Sequence, residues 1–298
     1  MTKIAVVFTV GASLSLALAL GAVVSAQKQQ QLFISLIGAD GKPVEGLQAG
    51  DVGITENDVS CKVVKLEPID WPTKLQVLVD NGRTNTTPIN PLRDGLKALF
   101  EQLPEGTEMS LYTTGGSPRP VVKPTTDKQK VIAGIGLIAP DNGSGAFFDA
   151  LVEAADRAAK DKEPGFAVIL MVGSDLGNIR VLDQEYKKLQ QTVIDKGITV
   201  HITVTAGGGT TNGGQVQTDV GLAMTKLSGG KYETFSAVNR LATLLPELGQ
   251  RIAASAVRQR HQYRVTYERP DKPAAQPRIG ATVTKAGDVQ LSLRGNLP

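Results

Sequence analysis

Ala167-Val168-Ile169-Leu170-Met171-Val172 is an apolar run with no polar position in it. A strand with one face in water alternates apolar and polar residues, so a run of this kind belongs inside a parallel sheet covered on both faces. Leu75-Gln76-Val77-Leu78-Val79 reads the same way, and Met109 to Tyr112 and Thr199 to Thr205 supply further strands. Between them the period changes to that of a helix. Pro91 to Gln102 sets Leu92, Leu96, Leu99 and Phe100 along one side, and Phe147 to Lys160 does so with Phe148, Leu151, Val152 and Ala155. Lys128 to Ile135, Gln184 to Lys196, Val220 to Leu227 (closed by Gly229-Gly230) and Arg240 to Ala256 continue the series. Strands and helices alternating at this spacing predict an α/β domain over 72–258, a doubly wound, mostly parallel, Rossmann-like sheet with helices on both faces.

The flanks read differently. Residues 27–71 hold the strand candidates Leu32 to Ile37, Val52 to Thr55 and Lys62 to Leu66, with turn chemistry at Gly41, Pro43 and Glu56-Asn57-Asp58. Residues 259–298 hold Gln262 to Tyr267, Ile279 to Thr284 and Val289 to Leu293. About 40 residues bury too little apolar surface to stand alone. The two segments are therefore expected to pack together as a small β-sandwich, with the α/β domain inserted between them.

Lys3 is followed by an uncharged stretch from Ile4 to Val24, ending in the small residues Val24-Ser25-Ala26. That pattern predicts a signal peptide over 1–26, cleaved after Ala26, and an exported protein, periplasmic or extracellular, with no membrane attachment after cleavage. The alternative is an uncleaved anchor, since the stretch is long enough to cross a bilayer. Cys61 is the only cysteine, so no intramolecular disulfide framework exists, and the residue reads as part of a strand. A formal net charge of +3 and the lack of a basic cluster with interleaved aromatics exclude a nucleic-acid partner. With 41% hydrophobic residues the chain can bury an ordinary core.

Ligands of open α/β sheets gather at the carboxyl ends of the strands, and the first such loop is Asp80-Asn81-Gly82-Arg83-Thr84. A carboxylate followed by small hydroxyl residues suits a hard divalent cation, which takes oxygen ligands. In this loop, in Gly145-Ala146-Phe147-Phe148-Asp149-Ala150-Leu151, in Val168 to Asp175 and in Leu227-Ser228-Gly229-Gly230-Lys231-Tyr232, the chain resembles the von Willebrand factor A (vWA) family. Asp40 to Val44, Asp51 to Thr55 and Tyr263 to Tyr267 are similar to the flanks of secreted bacterial vWA-related proteins. The resemblance implies a metal-ion-dependent adhesion site built from Asp-x-Ser-x-Ser in the first loop, a Thr in a second and an Asp in a third. Here Asp80 and Thr84 match, Gly82 replaces the first Ser, Gly145 stands for the Thr with Ser144 beside it, and Gly173 stands for the Asp, with Ser174 and Asp175 next.

The expectation is a degenerate site. No cofactor is expected, and Mg²⁺ or Mn²⁺ held by Asp80 and Thr84 is the alternative; the plainer reading has both residues capping a turn or helix through backbone hydrogen bonds. The function expected is a non-enzymatic binding or adhesion module of vWA type. It would meet a protein or surface polymer through Asp80, Gly82, Arg83, Thr84, Ser144, Ser174 and Asp175. The rivals are a structural scaffold of an envelope assembly and a hydrolase. Three further features carry less. Ala206 to Gly214 is glycine-rich but lacks a P-loop ending, His201 and His261 sit in different elements with no Cys nearby, and Trp71 precedes the first sheet strand as a packing residue.

Overall fold

The computed structural model describes residues 29–83, 85, 87–176, 179, 181–206, 212–271 and 277–295. The expected signal peptide with its cleavage site, Thr84, and most of the glycine-rich loop lie outside them. In chain order the strands β1 (Gln29–Ile37), β2 (Val52–Glu56), β3 (Val59–Cys61) and β4 (Val63–Pro68) come first. The middle runs β5 (Thr73–Val79), α1 (Ile89–Gln102), β6 (Glu108–Thr113), β7 (Arg119–Thr125), α2 (Lys128–Ile135), α3 (Phe147–Lys160) and β8 (Phe166–Ser174). It continues with α4 (Asp183–Lys196), β9 (Thr199–Thr205), α5 (Asn212–Ser228), β10 (Tyr232–Phe235) and α6 (Leu241–Arg260). The strands β11 (Tyr263–Glu268), β12 (Ile279–Val283) and β13 (Asp288–Ser292) end the described chain. Two compact units result, 29–69 with 261–293 and 70–260 with 294–295. The divisions fall at 69/70 and 260/261, against the expected 71/72 and 258/259, because α6 runs on to Arg260.

The larger unit is α/β, with a sheet ordered β10-β9-β8-β5-β6-β7. Every neighbouring pair is parallel except β6 and β7. Leu75, Val77 and Val79 of β5 pack on one face against Leu92, Leu96 and Leu99 of α1 and Leu241, Leu244 and Leu245 of α6. Leu78, Ile169 and Met171 pack on the other against Phe148 and Leu151 of α3, Leu189 of α4 and Met224 of α5. Cover on both faces is why β5 and β8 need apolar residues at successive positions. Gln76 is the polar exception, held by the Ala154 carbonyl at 2.9 Å and by Arg157 Nε at 2.9 Å. The Trp71 ring packs 5.7 Å from that of Phe166. Neither β7 nor β10 stands out in the sequence. β7 carries Pro120 and Pro124, which cannot donate to a ladder, and it forms the antiparallel edge where a missing donor costs least.

In the smaller unit a sheet ordered β13-β1-β11-β4 and a second ordered β12-β2-β3 enclose one core. Both neighbours of β1 come from the C-terminal segment, with Leu32 opposite Val265 and Leu36 opposite Val289. Leu32, Ile34, Leu36 and Val265 face Val52, Ile54 and Cys61. Burial pushes the Cys61 thiol above its ordinary pKa. Asn57 and Asp58, both at positive φ (49° and 67°), make the tight turn between β2 and β3, a conformation that matches strand twist.

Candidate functional site

β5 lies where the direction of sheet growth reverses, with β6 on one side and β8 on the other. Such a switch point opens a crevice at the carboxyl ends of the strands. Asp80 follows β5 directly and continues the ladder, its N–H donating to the Val172 carbonyl at 2.8 Å. Its side chain is 5% exposed. Oδ1 accepts the Gly82 N–H at 2.8 Å, so the carboxylate closes a turn on its own loop. Burial, opposed by that bond, pushes the Asp80 pKa up to about 6.

Three glycines enclose this carboxyl group. A Cβ on Gly145 would lie 2.6 Å from Asp80 Cγ, and one on Gly173 would lie 3.3 Å from Asp80 Cβ. A Cβ on Gly82 would lie 2.7 Å from the Gly143 carbonyl oxygen and 2.8 Å from the Gly145 nitrogen. These are the positions where the vWA pattern needs Ser, Thr and Asp. A side chain on Gly82 or Gly145 would collide with the Asp80 carboxyl group or the neighbouring loop backbone, and one on Gly173 would be tight against Asp80.

The closure is held by residues the sequence reading passed over. Asn81 accepts the Gly115 N–H at 2.9 Å and donates to the Ala139 carbonyl at 2.6 Å. Asn85 donates to the Asp80 carbonyl at 2.6 Å. Asp141 accepts the Gly143 N–H at 2.7 Å and receives Arg119 Nη1 at 3.3 Å. The Asp141-Asn142-Gly143 stretch carries the turn signal that could have found this loop. Backbone bonds from Arg83 N to Gly143 O (2.9 Å) and from Gly116 N to Ser144 O (2.8 Å) complete the stitching.

Of the expected site residues, Asp80, Gly82 and Gly145 with its neighbour Ser144 come together, and Gly173 closes beneath them. Arg83 is exposed at the rim and makes no ion pair among the described residues. Ser144 is exposed. Ser174 is turned inward, 2% exposed, its Oγ accepting the Leu176 N–H at 3.1 Å. The Asp175 N–H bonds the Thr205 carbonyl at 3.0 Å, and its charge reaches Tyr232, whose phenol is pushed up first by burial and then by Asp175. Asp175 therefore faces the β9 and β10 side. The part played by Thr84 lies outside the described residues.

Among the described residues, the oxygen donor that this loop buries for a cation is the Asp80 carboxyl group. Mg²⁺ needs near-octahedral oxygen coordination. Among the described residues the Asp80 carboxyl group is closed in by Gly82, Gly145 and Gly173, which carry no side-chain oxygen. Among the described residues no group of three or more His, Cys, Asp or Glu could hold a metal ion.

No family model matches the chain, and no curated protein matches it either. Solved structures similar to it include vWA domains. One is the von Willebrand factor type A protein from Catenulispora acidiphila, at 10% identity and a TM-score of 0.49, covering 89% of this chain and 72% of that one. A second is BatB, a conserved hypothetical protein from Bacteroides thetaiotaomicron, at 13% identity and 0.47, covering 61% of this chain and 100% of that one. A third is the SpRpn10 VWA domain, at 19% identity and 0.43, covering 60% of this chain and 97% of that one. Similarity at this level carries no argument about function. The α/β architecture rests on the strand order and the two packed layers described above.

Proposed function

We propose that this chain is an exported, non-catalytic binding module that engages a protein or surface polymer through the strand-end face, without a metal ion. The observation that carries this reading is the Asp80 carboxyl group, closed in by Gly82, Gly145 and Gly173, with Arg83 exposed beside it. A face that has lost its cation ligands can recognise an acidic group directly, because a guanidinium forms charge-assisted hydrogen bonds to carboxylate or phosphate. Export rests on the uncharged stretch from Ile4 to Val24 and the small residues that follow it.

The test compares immobilised wild-type protein with Arg83→Glu for capture of cell-envelope components, each with and without EDTA. Capture by the wild type is expected to survive EDTA and to fall by roughly tenfold or more in Arg83→Glu, the loss of one charge-assisted contact. The thermal midpoint should stay unchanged, since the side chain is exposed. Capture abolished by EDTA and restored by Mg²⁺ would return the metal to the mechanism. Equal capture by both proteins would remove Arg83 from the interface.

A further inference from the structure

A cavity of about 350 Å³ opens at the amino ends of β8 and β9, the other end of the sheet from Asp80, beneath the last turns of α6. Lys231, Arg251 and Arg258 line it, together with His201, Thr199 and Ser255, and no carboxylate does among the described residues. Arg251, Ser255 and Arg258 lie at i, i+4 and i+7 on α6, one stripe of the helix. Lys231 arrives from the other side on the turn Gly229-Gly230. Gly229 has φ +72°, and a Cβ on Gly230 would collide with the Val200 carbonyl, so the turn is pressed onto β9.

The Lys231 N–H donates to His201 Nδ1 at 3.1 Å. That assigns the ring proton to Nε2 and makes the imidazole a neutral donor. His201 is 5% exposed, and burial, then Arg251 and Lys231, hold its pKa down to about 4. Of the three cations, Lys231 pairs with Glu233, and Arg258 donates to Ser255 Oγ at 3.1 Å close to the helix C-terminus, whose dipole it offsets. Arg251 is exposed and makes no ion pair among the described residues.

We propose that this cavity binds the phosphate group of a small phosphorylated molecule, with Arg251 and Lys231 supplying charge and His201, Ser255 and Thr199 neutral hydrogen bonds. A tetrahedral dianion takes several convergent donors and more than one positive charge, which is what these two elements bring together. The volume sits at the low end for ligand pockets, about 300–1,000 Å³, so it suits a small molecule better than a polymer. This site is independent of the strand-end face.

The experiment is a titration of the purified protein with inorganic pyrophosphate, followed by calorimetry and by the imidazole NMR signals of the two histidines. His261, which pairs with Glu45 in the smaller unit, is the internal control. Saturable binding should move the His201 signals and leave those of His261 in place. Arg251→Glu should weaken binding by at least roughly tenfold, as loss and reversal of one ionic contact requires. Lys231→Gln should weaken it independently, and Arg83→Glu should leave it unchanged. A His201 signal that does not respond, or equal affinity in Arg251→Glu and Lys231→Gln, would overturn the assignment. So would binding lost in Arg83→Glu, and that result alone would place the anion at the strand-end face.

Discussion

Each unit buries a carboxyl group, and the two are treated in opposite ways. Glu56, 1% exposed in the smaller unit, meets Arg269 through both oxygens, with Nε at 3.0 and 3.2 Å and Nη2 at 2.6 Å from Oε1. The Tyr267 hydroxyl lies 3.4 Å from Oε2, and burial followed by the Glu56 charge pushes that phenol up to about 12. Asp80, 5% exposed in the larger unit, accepts one N–H, that of Gly82, among the described residues. Similar burial therefore goes with an ion pair at one place and with a carboxyl group whose pKa is raised to about 6 at the other. A buried charge survives only when it is paired and hydrogen-bonded. Glu56 has the chemistry of a structural pin, and Asp80 that of a buried acid with no charged partner among the described residues.

Removing the pin should give the largest effect. Arg269→Ala leaves Glu56 buried without its partner and should cost about 3–5 kcal/mol. Urea unfolding followed by circular dichroism measures it, and a loss under about 1 kcal/mol, the range of exposed pairs, would break the contrast.

The second effect depends on pH. The folded-state pKa of Asp80 stands above its ordinary 3.8, so the fold holds this proton more tightly than the unfolded chain does. That contribution is complete below about pH 4 and is lost as pH rises through about 6, roughly 3 kcal/mol over the window. Asp80→Asn should lack this decline and exceed the wild type in stability at pH 8. Parallel stability curves for the two proteins between pH 4 and 8 would mean that Asp80 is solvated or paired.

The smallest effect sharpens the reading of the glycines. Gly145→Thr supplies a hydroxyl beside Asp80 but drives its Cβ into the Asp80 carboxyl, and overpacking of this kind costs about 1–3 kcal/mol. Calorimetric titration with Mg²⁺ should give no binding heat for this variant or for the wild type. Saturable Mg²⁺ binding that appears in Gly145→Thr would show that the loops can reopen.

Much of this organisation was legible in the residues because it is written at short range. The apolar runs at Leu75 and Val168 announce strands covered on both faces, the helical stripe of Phe148, Leu151 and Ala155 announces α3, and Asn57-Asp58 announces a turn. Asp80 and its loop could be placed at the strand ends from order alone. What short range misleads about is equally specific. Pro120 and Pro124 hid β7, since proline argues against a strand until the strand proves to be an edge. Asn81, Asn85 and Asp141 looked like ordinary loop residues, and only their carbonyl and amide partners across the crevice give them a role.

The sequence by itself therefore determined the class of fold, the flanking β segments and the end of the sheet where Asp80 stands. Periodicity and turn chemistry are local properties, and they suffice for that. The tertiary structure alone decided that Gly82, Gly145 and Gly173 close onto Asp80, that Glu56 finds Arg269 more than 200 residues away, and that His201, Lys231 and Arg251 share one cavity. Those outcomes depend on how closely distant backbones approach. Close approach sets which charges are paired and which oxygens remain available, and no local pattern encodes it.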